Sequence, residues 1–189
     1  PVWYTKGFNP HIKMVFSTPL SVGTQSLCEY LDIRMDREMS IDDIVSRLNA
    51  EMTDEFCIVE AYEPSNDFSE IAWATYKISI TTTGASEDMA EQVQKTLTTS
   101  PIILTKKTKA GEKEIDIIPL IASVRTELSE CGSIEIEATV SASTGEYLNP
   151  EMLITGLKNK LGILSGDPTE EYYSIMRTEL LKSDMTKFS

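Results

Sequence analysis

A chain of 189 residues with 41% hydrophobic and 25% charged residues is long enough for one large or two small domains and apolar enough to build a core, which excludes disorder by composition. The formal charge of -13, from 17 Lys and Arg against 30 Asp and Glu, opposes generic attraction to phosphate backbones. No apolar run approaches the roughly 20 residues that cross a bilayer, and the sequence opens on Pro-Val-Trp rather than on a basic then apolar leader. The expectation is a soluble, cytoplasmic protein with no membrane partner.

In chain order, Ile12, Met14 and Phe16 alternate with Lys13 and Val15, the period-2 pattern of a strand with one buried face. Pro19 and Gly23 break it, and Leu27, Leu31, Ile33 and Met35 resume it against Asp32, Arg34 and Asp36. Ser40 stands where a helix N-cap belongs, with Asp43 three residues on. Ile41, Ile44, Val45 and Leu48 form the stripe of the helix that follows. Phe56 to Ala61 reads as another strand, and Glu63-Pro64-Ser65-Asn66-Asp67 as a linker.

Beyond that linker, Ala72, Trp73, Tyr76, Ile78 and Ile80 mark a long strand ended at Thr83-Gly84. Ser86 caps a helix carrying Met89, Ala90, Val93 and Leu97 on one face. Residues 101–107 and 113–118 read as a hairpin turning at Ala110-Gly111, and residues 134–141 continue the sheet. Asn149-Pro150 starts a helix, with Asn as cap and Pro where a missing N–H costs nothing. Leu153, Leu157 and Leu161 line that helix and Gly162 ends it. Tyr172 to Leu181 closes as a strand.

These elements give an α+β protein of two tandem ferredoxin-like (split βαβ) units with antiparallel sheets. Residues 1–64 form an incomplete unit (β-β-α-β) lacking its opening strand and helix, and residues 65–189 a second unit with an extra strand. Such a truncation exposes a sheet edge and an apolar face. About 30 further N-terminal residues, another chain (including a second copy, giving a dimer through the uncovered first sheet) or the rest of this chain is expected to cover the gap.

The chemistry-bearing residues are sparse. Thr5-Lys6-Gly7-Phe8-Asn9-Pro10-His11-Ile12-Lys13 holds the only His in the chain. Lys6, Gly7, Phe8, Asn9, His11 and Lys13 together suit a groove for an anion or an RNA segment, with Phe8 or Tyr4 as a stacking platform. The plainer alternative is a turn into a strand, with Phe8 in the core and His11 in a backbone hydrogen bond. His11 is the one candidate for acid/base catalysis, with no identifiable partner nucleophile or orienting carboxylate. Lys106, Lys107, Lys109 and Lys113 form a second basic group, either a phosphate-contacting finger or a solvated, edge-protecting loop. Asp116, between Ile115 and Ile117, is expected in a structural ion pair. Cys28, Cys57 and Cys131 lack disulfide or zinc spacing and read as buried free thiols, so no metal site is assigned.

The run from Tyr4 to Lys13, followed by Ser17-Thr18-Pro19-Leu20, Val22-Gly23, Ser26 and Glu29-Tyr30-Leu31-Asp32, resembles the hallmark block of the bacterial radical SAM-linked protein family. That block is a GFNPHPK-type loop, a strand, a Pro-Leu turn with Gly, then Ser and Glu-Tyr. Ile12 stands where members often carry Pro. Lys106-Lys107-Thr108-Lys109 with Lys113-Glu114-Ile115-Asp116-Ile117 and Pro119-Leu120-Ile121 is similar to the family's Lys-rich hairpin, and Arg177-Thr178-Glu179-Leu180 to a segment near its end. The resemblance implies a protein encoded beside, or fused to, a radical SAM enzyme with a cobalamin-binding-type region. It also implies an N-terminal strand and helix with a Leu-Ser-His-Leu-Asp-like motif, which this sequence does not contain. A radical SAM cluster needs three closely spaced Cys thiolates, whereas Cys28, Cys57 and Cys131 lie 29 and 74 residues apart. No cofactor is therefore expected in this chain, and the iron-sulfur cluster and SAM are expected on the partner.

The functional expectation is a noncatalytic accessory module that presents a substrate, RNA or a ribosomal component, to a radical SAM protein in the same or a separate polypeptide. One alternative is an RNA-modifying or RNA-processing enzyme using His11, by analogy of fold. The other is a protein–protein interaction domain with no nucleic-acid role.

Overall fold

In the computed structural model, which describes residues 2–108 and 111–189 but not the side chains of Lys107 and Thr108, the chain is a mixed α+β protein divided into two compact units. The first comprises residues 1–19, 29–67 and 189, and the second residues 20–28 and 68–188.

In the first unit, β1 (Met14–Phe16) pairs antiparallel with a later strand, so that Met14 stands opposite Ile33 and Phe16 opposite Leu31. Between the two, β2 (Thr24–Ser26) leaves for the second unit, and β3 (Leu31–Ile33) supplies the pairing. The run from Leu27 to Met35 is thus not one strand. Ile12, expected at the start of β1, instead forms an isolated bridge with Tyr4. Ser40 caps α1 (Ile41–Ala50) as its position dictates, its Oγ accepting from Asp43 N–H at 3.2 Å.

The strand expected over Phe56–Ala61 is absent. Asn49, at the end of α1, donates from Nδ2 to the Ile58 carbonyl (3.0 Å) and accepts the Ile58 N–H on Oδ1 (2.7 Å). A side-chain amide thereby takes the backbone groups that a ladder would have used.

The second unit begins its main run with β4 (Ile71–Thr81), followed by α2 (Glu87–Thr99). β5 (Ile103–Thr108) and β6 (Gly111–Asp116) form a separate antiparallel pair. β7 (Ile121–Leu128), β8 (Ile134–Ser141), α3 (Glu151–Leu161) and β9 (Tyr172–Lys182) complete it. The main sheet has the order β2-β9-β4-β8-β7. Every pair in it is antiparallel except β2 with β9, which is parallel. The expectation of purely antiparallel sheets is corrected accordingly.

A second correction concerns the middle of the chain. The Lys-bearing hairpin does not extend the main sheet; β7, which the sequence reading passed over, does. Its half-buried positions include Thr126 and its exposed ones Arg125 and Glu127, so a hydroxyl dilutes the apolar alternation that marks a strand. The chain turns out of β6 at Ile118–Leu120, a short 3-10 turn with Pro119 inside it.

The core lies in the second unit. Ala74, Tyr76, Ile78 and Ile80 of β4 and Ile134, Ile136, Ala138 and Val140 of β8 are all at most 1% exposed. Ala90, Val93 and Leu97 of α2 and Leu153, Ile154 and Leu157 of α3 are buried as well. Gly156 sits where α3 comes closest to the chain beside it: a Cβ there would lie 2.8 Å from Ile102 Cγ2. Gly162 ends α3 at φ +68°, its N–H donating to the Lys158 carbonyl at 3.0 Å. Ahead of the helix, Asn149 Oδ1 accepts from Glu151 N–H at 3.1 Å.

Two expectations about single residues also change. Asp116 makes no structural ion pair among the described residues; its Oδ1 accepts from the N–H groups of Ile102 (3.0 Å) and Ile118 (3.1 Å), fastening the base of the hairpin. The thiols are not buried: Cys57 and Cys131 are exposed and Cys28 is half-buried. Cys57 lies in the strandless stretch after α1, and Cys131 in the Ser129–Ser133 turn.

Candidate functional site

The run from Tyr4 to Lys13 forms a projecting hairpin of the first unit. Thr5 N–H donates to the His11 carbonyl at 2.8 Å, and His11 N–H returns to Thr5 Oγ1 at 2.9 Å. Lys13 N–H donates to the Trp3 carbonyl at 3.1 Å, Trp3 N–H to the Arg34 carbonyl at 2.8 Å, and Arg34 N–H to the Lys13 carbonyl at 3.1 Å. The base is thus tied to the continuation of β3, and the Arg34 guanidinium lies 4.6 Å from the Trp3 ring centre. The tip, Lys6 to Pro10, turns on Gly7 at φ +144°, a conformation that side chains with a Cβ rarely adopt. Pro10 fixes φ on the return.

This geometry puts Phe8 into solvent at 102% relative exposure, against the alternative in which it fills a core. Lys6, Asn9, His11 and Lys13 are exposed on the same short hairpin, and Tyr4 is 53% exposed at its base. Among the described residues the His11 ring takes no hydrogen bond; only its backbone is engaged, with Thr5. An exposed ring between cations is a surface on which a planar, anionic ligand can stack and pair.

The basic group of this stretch also stands apart along the sequence. All 30 carboxylates follow residue 28, Glu29 being the first, while Lys6 and Lys13 precede them. In a chain of charge -13, residues 1–28 are a locally cationic stretch.

The second basic group is placed differently. Lys106, on β5, donates from Nζ to the Tyr147 carbonyl at 2.8 Å, so its ammonium is engaged within the second unit. Lys106 stands opposite Lys113 across the β5–β6 ladder, and Lys107 opposite Glu112. Lys109, with Ala110 of the expected turn, lies outside the described residues, as does the side chain of Lys107. Lys6, Gly7, Phe8, Asn9, His11 and Lys13 are brought together; the β5–β6 lysines belong to the other unit.

Elsewhere in the second unit several side chains are set by their neighbours. Arg177 is 1% exposed, with its guanidinium 5.8 Å from the Tyr76 ring centre. Burial pushes the Tyr76 hydroxyl well above the ordinary tyrosine range, although Arg177 pulls the other way. Tyr173 is raised to about 12, chiefly by the 2.7 Å hydrogen bond it donates to Glu151. Glu171 is lowered to about 2, because it accepts from the Thr82 hydroxyl (2.7 Å) and from the N–H groups of Thr83 (2.9 Å) and Gly166 (2.6 Å). The Cys131 thiol is lowered by hydrogen bonds from Ser129 and Ser133. Among the described residues no three His, Cys, Asp or Glu side chains gather as metal ligands, and no helix is long and apolar enough to cross a membrane.

Over residues 1–150 the sequence matches the family described as "Uncharacterized protein conserved in bacteria (DUF2344)". The chain belongs to that family. The match takes in the first-unit hairpin and the whole β5–β6 segment, and leaves α3 and β9 outside it. No curated protein sequence matches the chain.

Proposed function

We propose that this DUF2344 chain is a noncatalytic accessory module that holds RNA, or the RNA of a ribosomal component, on its N-terminal hairpin and presents it to a radical SAM enzyme. One observation carries the reading: Phe8 stands fully in solvent at a glycine turn, between Lys6 and the His11–Lys13 pair, in the only stretch of the chain before its first carboxylate. Aromatic stacking supplies sequence-tolerant affinity for unpaired bases, and the lysines add the phosphate contacts. The radical SAM partner rests on the resemblance of the Tyr4–Lys13 block to that family. The cluster and SAM then sit on the partner, in the cytoplasm.

The topology reading behind this is ferredoxin-like. The order β9-β4-β8-β7, with helices after β4 and after β8, supports a split βαβ plan for the second unit. β1, β3 and α1 are read as an incomplete copy of it.

The test is fluorescence anisotropy of a labelled single-stranded RNA of about ten nucleotides, a length within the range that single domains cover. Phe8→Ala is expected to weaken binding about 5- to 150-fold, the effect of losing one stacked base. Lys6→Glu with Lys13→Glu flattens the salt dependence by about two counterions. RNA binding that ignores all three substitutions, or no RNA binding at all, contradicts the reading.

A second reading is favoured by a separate observation: among the described residues of the first unit, no apolar side chain is buried. A two-stranded sheet without a core is marginal alone, so completion by another polypeptide is the alternative role for this surface. Copurification with a protein partner that survives neutralisation of Lys6 and Lys13 would favour it.

A further inference from the structure

The main sheet ends at β7, and we propose that its outer edge is a second binding site, for an extended basic peptide that adds as a further strand in the groove between β7 and α2. The groove is a shallow, open depression of about 560 Å³ lined by residues of both elements, including Glu91, Gln94, Thr126 and Leu128. Two contacts hold its walls together. Gln94 Nε2 donates to the Val124 carbonyl at 2.8 Å, and Thr126 Oγ1 donates to the Ala90 carbonyl at 2.8 Å.

The first contact fixes which way the strand faces. A Val124 carbonyl that reaches α2 points away from β8, and backbone direction alternates along an antiparallel strand. The β7–β8 register runs without a shift from Ser123 opposite Thr139 to Leu128 opposite Ile134. The N–H and C=O of Thr126 and Leu128 therefore also point outward, and among the described residues no backbone group meets them. Gln94 occupies the edge at Val124 and leaves the edge at Thr126 and Leu128 open. Open strand edges with a neighbouring helix are where extended peptides add.

Charge selects the occupant. Glu87 and Glu91 line the groove from α2 against Lys95, and Glu127 stands at its rim on the opposite face of β7 from Thr126. Two carboxylates against one ammonium on the α2 wall, with a further carboxylate at the rim, repel phosphate, which disfavours nucleic acid. Pairing β7 with β7 of a second copy would bring two such carboxylate sets together, which disfavours self-association. A peptide carrying Lys or Arg on the side that faces α2 satisfies both the backbone and the charge.

The experiment uses the full chain and two labelled probes of about nine residues, enough to span a strand of this length, one alternating Val with Lys and the other Val with Glu. The Lys probe is expected to bind and the Glu probe not to. Glu87→Lys with Glu91→Lys, both on the exposed face of α2, weakens the Lys probe by about tenfold, and Phe8→Ala leaves it unchanged. Leu128→Pro removes an outward N–H and abolishes binding. Should that variant unfold, slowed amide exchange at Thr126 and Leu128 of the unsubstituted chain on adding the Lys probe supplies the same information. Equal binding of both probes, indifference to the Glu substitutions, displacement of the Lys probe by single-stranded RNA, or a dimer that the Glu substitutions strengthen would each overturn the proposal.

Discussion

Phe16 of β1 is 59% exposed and Ile78 of β4 is wholly buried, and the same contrast runs through the two units that carry them. The second unit buries one face of each of its helices and has a central strand whose alternate side chains vanish from solvent. The first unit has the same kinds of element, a paired strand and a well-capped helix, yet α1 buries none of its residues. Capping and periodicity are local properties, a cap being worth about 1 kcal/mol; burial needs something to pack against. The lesson is that local grammar and a core are separable, and that the exposed Lys6 to Pro10 tip belongs to the unit that has the first without the second.

The strongest way to break this comparison is a pair of truncations read by urea unfolding. Ile78→Ala is expected to cost about 3 to 4 kcal/mol, the range for emptying a packed site. Phe16→Ala is expected to fall within about 0.5 kcal/mol of the unsubstituted chain, as exposed substitutions do. Equal losses would mean that the first unit has a core after all.

A smaller effect sharpens the account of the second unit. Gly156→Ala places a methyl 2.8 Å from Ile102 Cγ2. The overpacking is expected to outweigh the gain in helix propensity and to leave a net loss of about 1 kcal/mol. The reverse change at exposed Ala50, to Gly, tests propensity alone at the end of α1 and should cost less than about 1 kcal/mol.

The smallest predicted effect is a pH dependence. Glu171 has its folded-state pKa at about 2 against an ordinary 4.5. A carboxylate depressed on folding stabilises the fold above its unfolded pKa, and that contribution is lost as pH falls from about 4.5 toward about 2. Glu171→Gln should flatten this acid limb in thermal melts taken across that window. An unchanged limb would mean that the clasp from Glu171 to Thr82, Thr83 and Gly166 contributes nothing to stability.

What the sequence made legible follows the same division between local and long-range causes. Ser40 and Ser86 cap their helices as their positions dictate, with Ser86 Oγ accepting from Met89 N–H at 3.3 Å, because a cap is decided within a few residues. β4, β8 and β9 were legible because their alternation is strong and long. β7 was not, since Thr126 and Ser123 interrupt its apolar beat. The pairing of Thr24–Ser26 with Ile175–Arg177 joins residues some 150 positions apart, and no local pattern signals a partner at that distance. Phe56–Ala61 has the composition of a strand, but the Asn49 amide competes for Ile58 and wins. The hairpin was legible as a group of residues, yet not as an exposed finger, because Gly7, Asn9 and Pro10 specify a turn without saying whether Phe8 goes in or out.

Native-state hydrogen exchange of the purified chain tests the central claim most directly. The account predicts that amides of residues 2–19 and 29–67 exchange through openings far cheaper than global unfolding, whereas those of β4, β8 and β9 exchange only when the second unit unfolds. Protection of the first unit equal to that of β4 would contradict it.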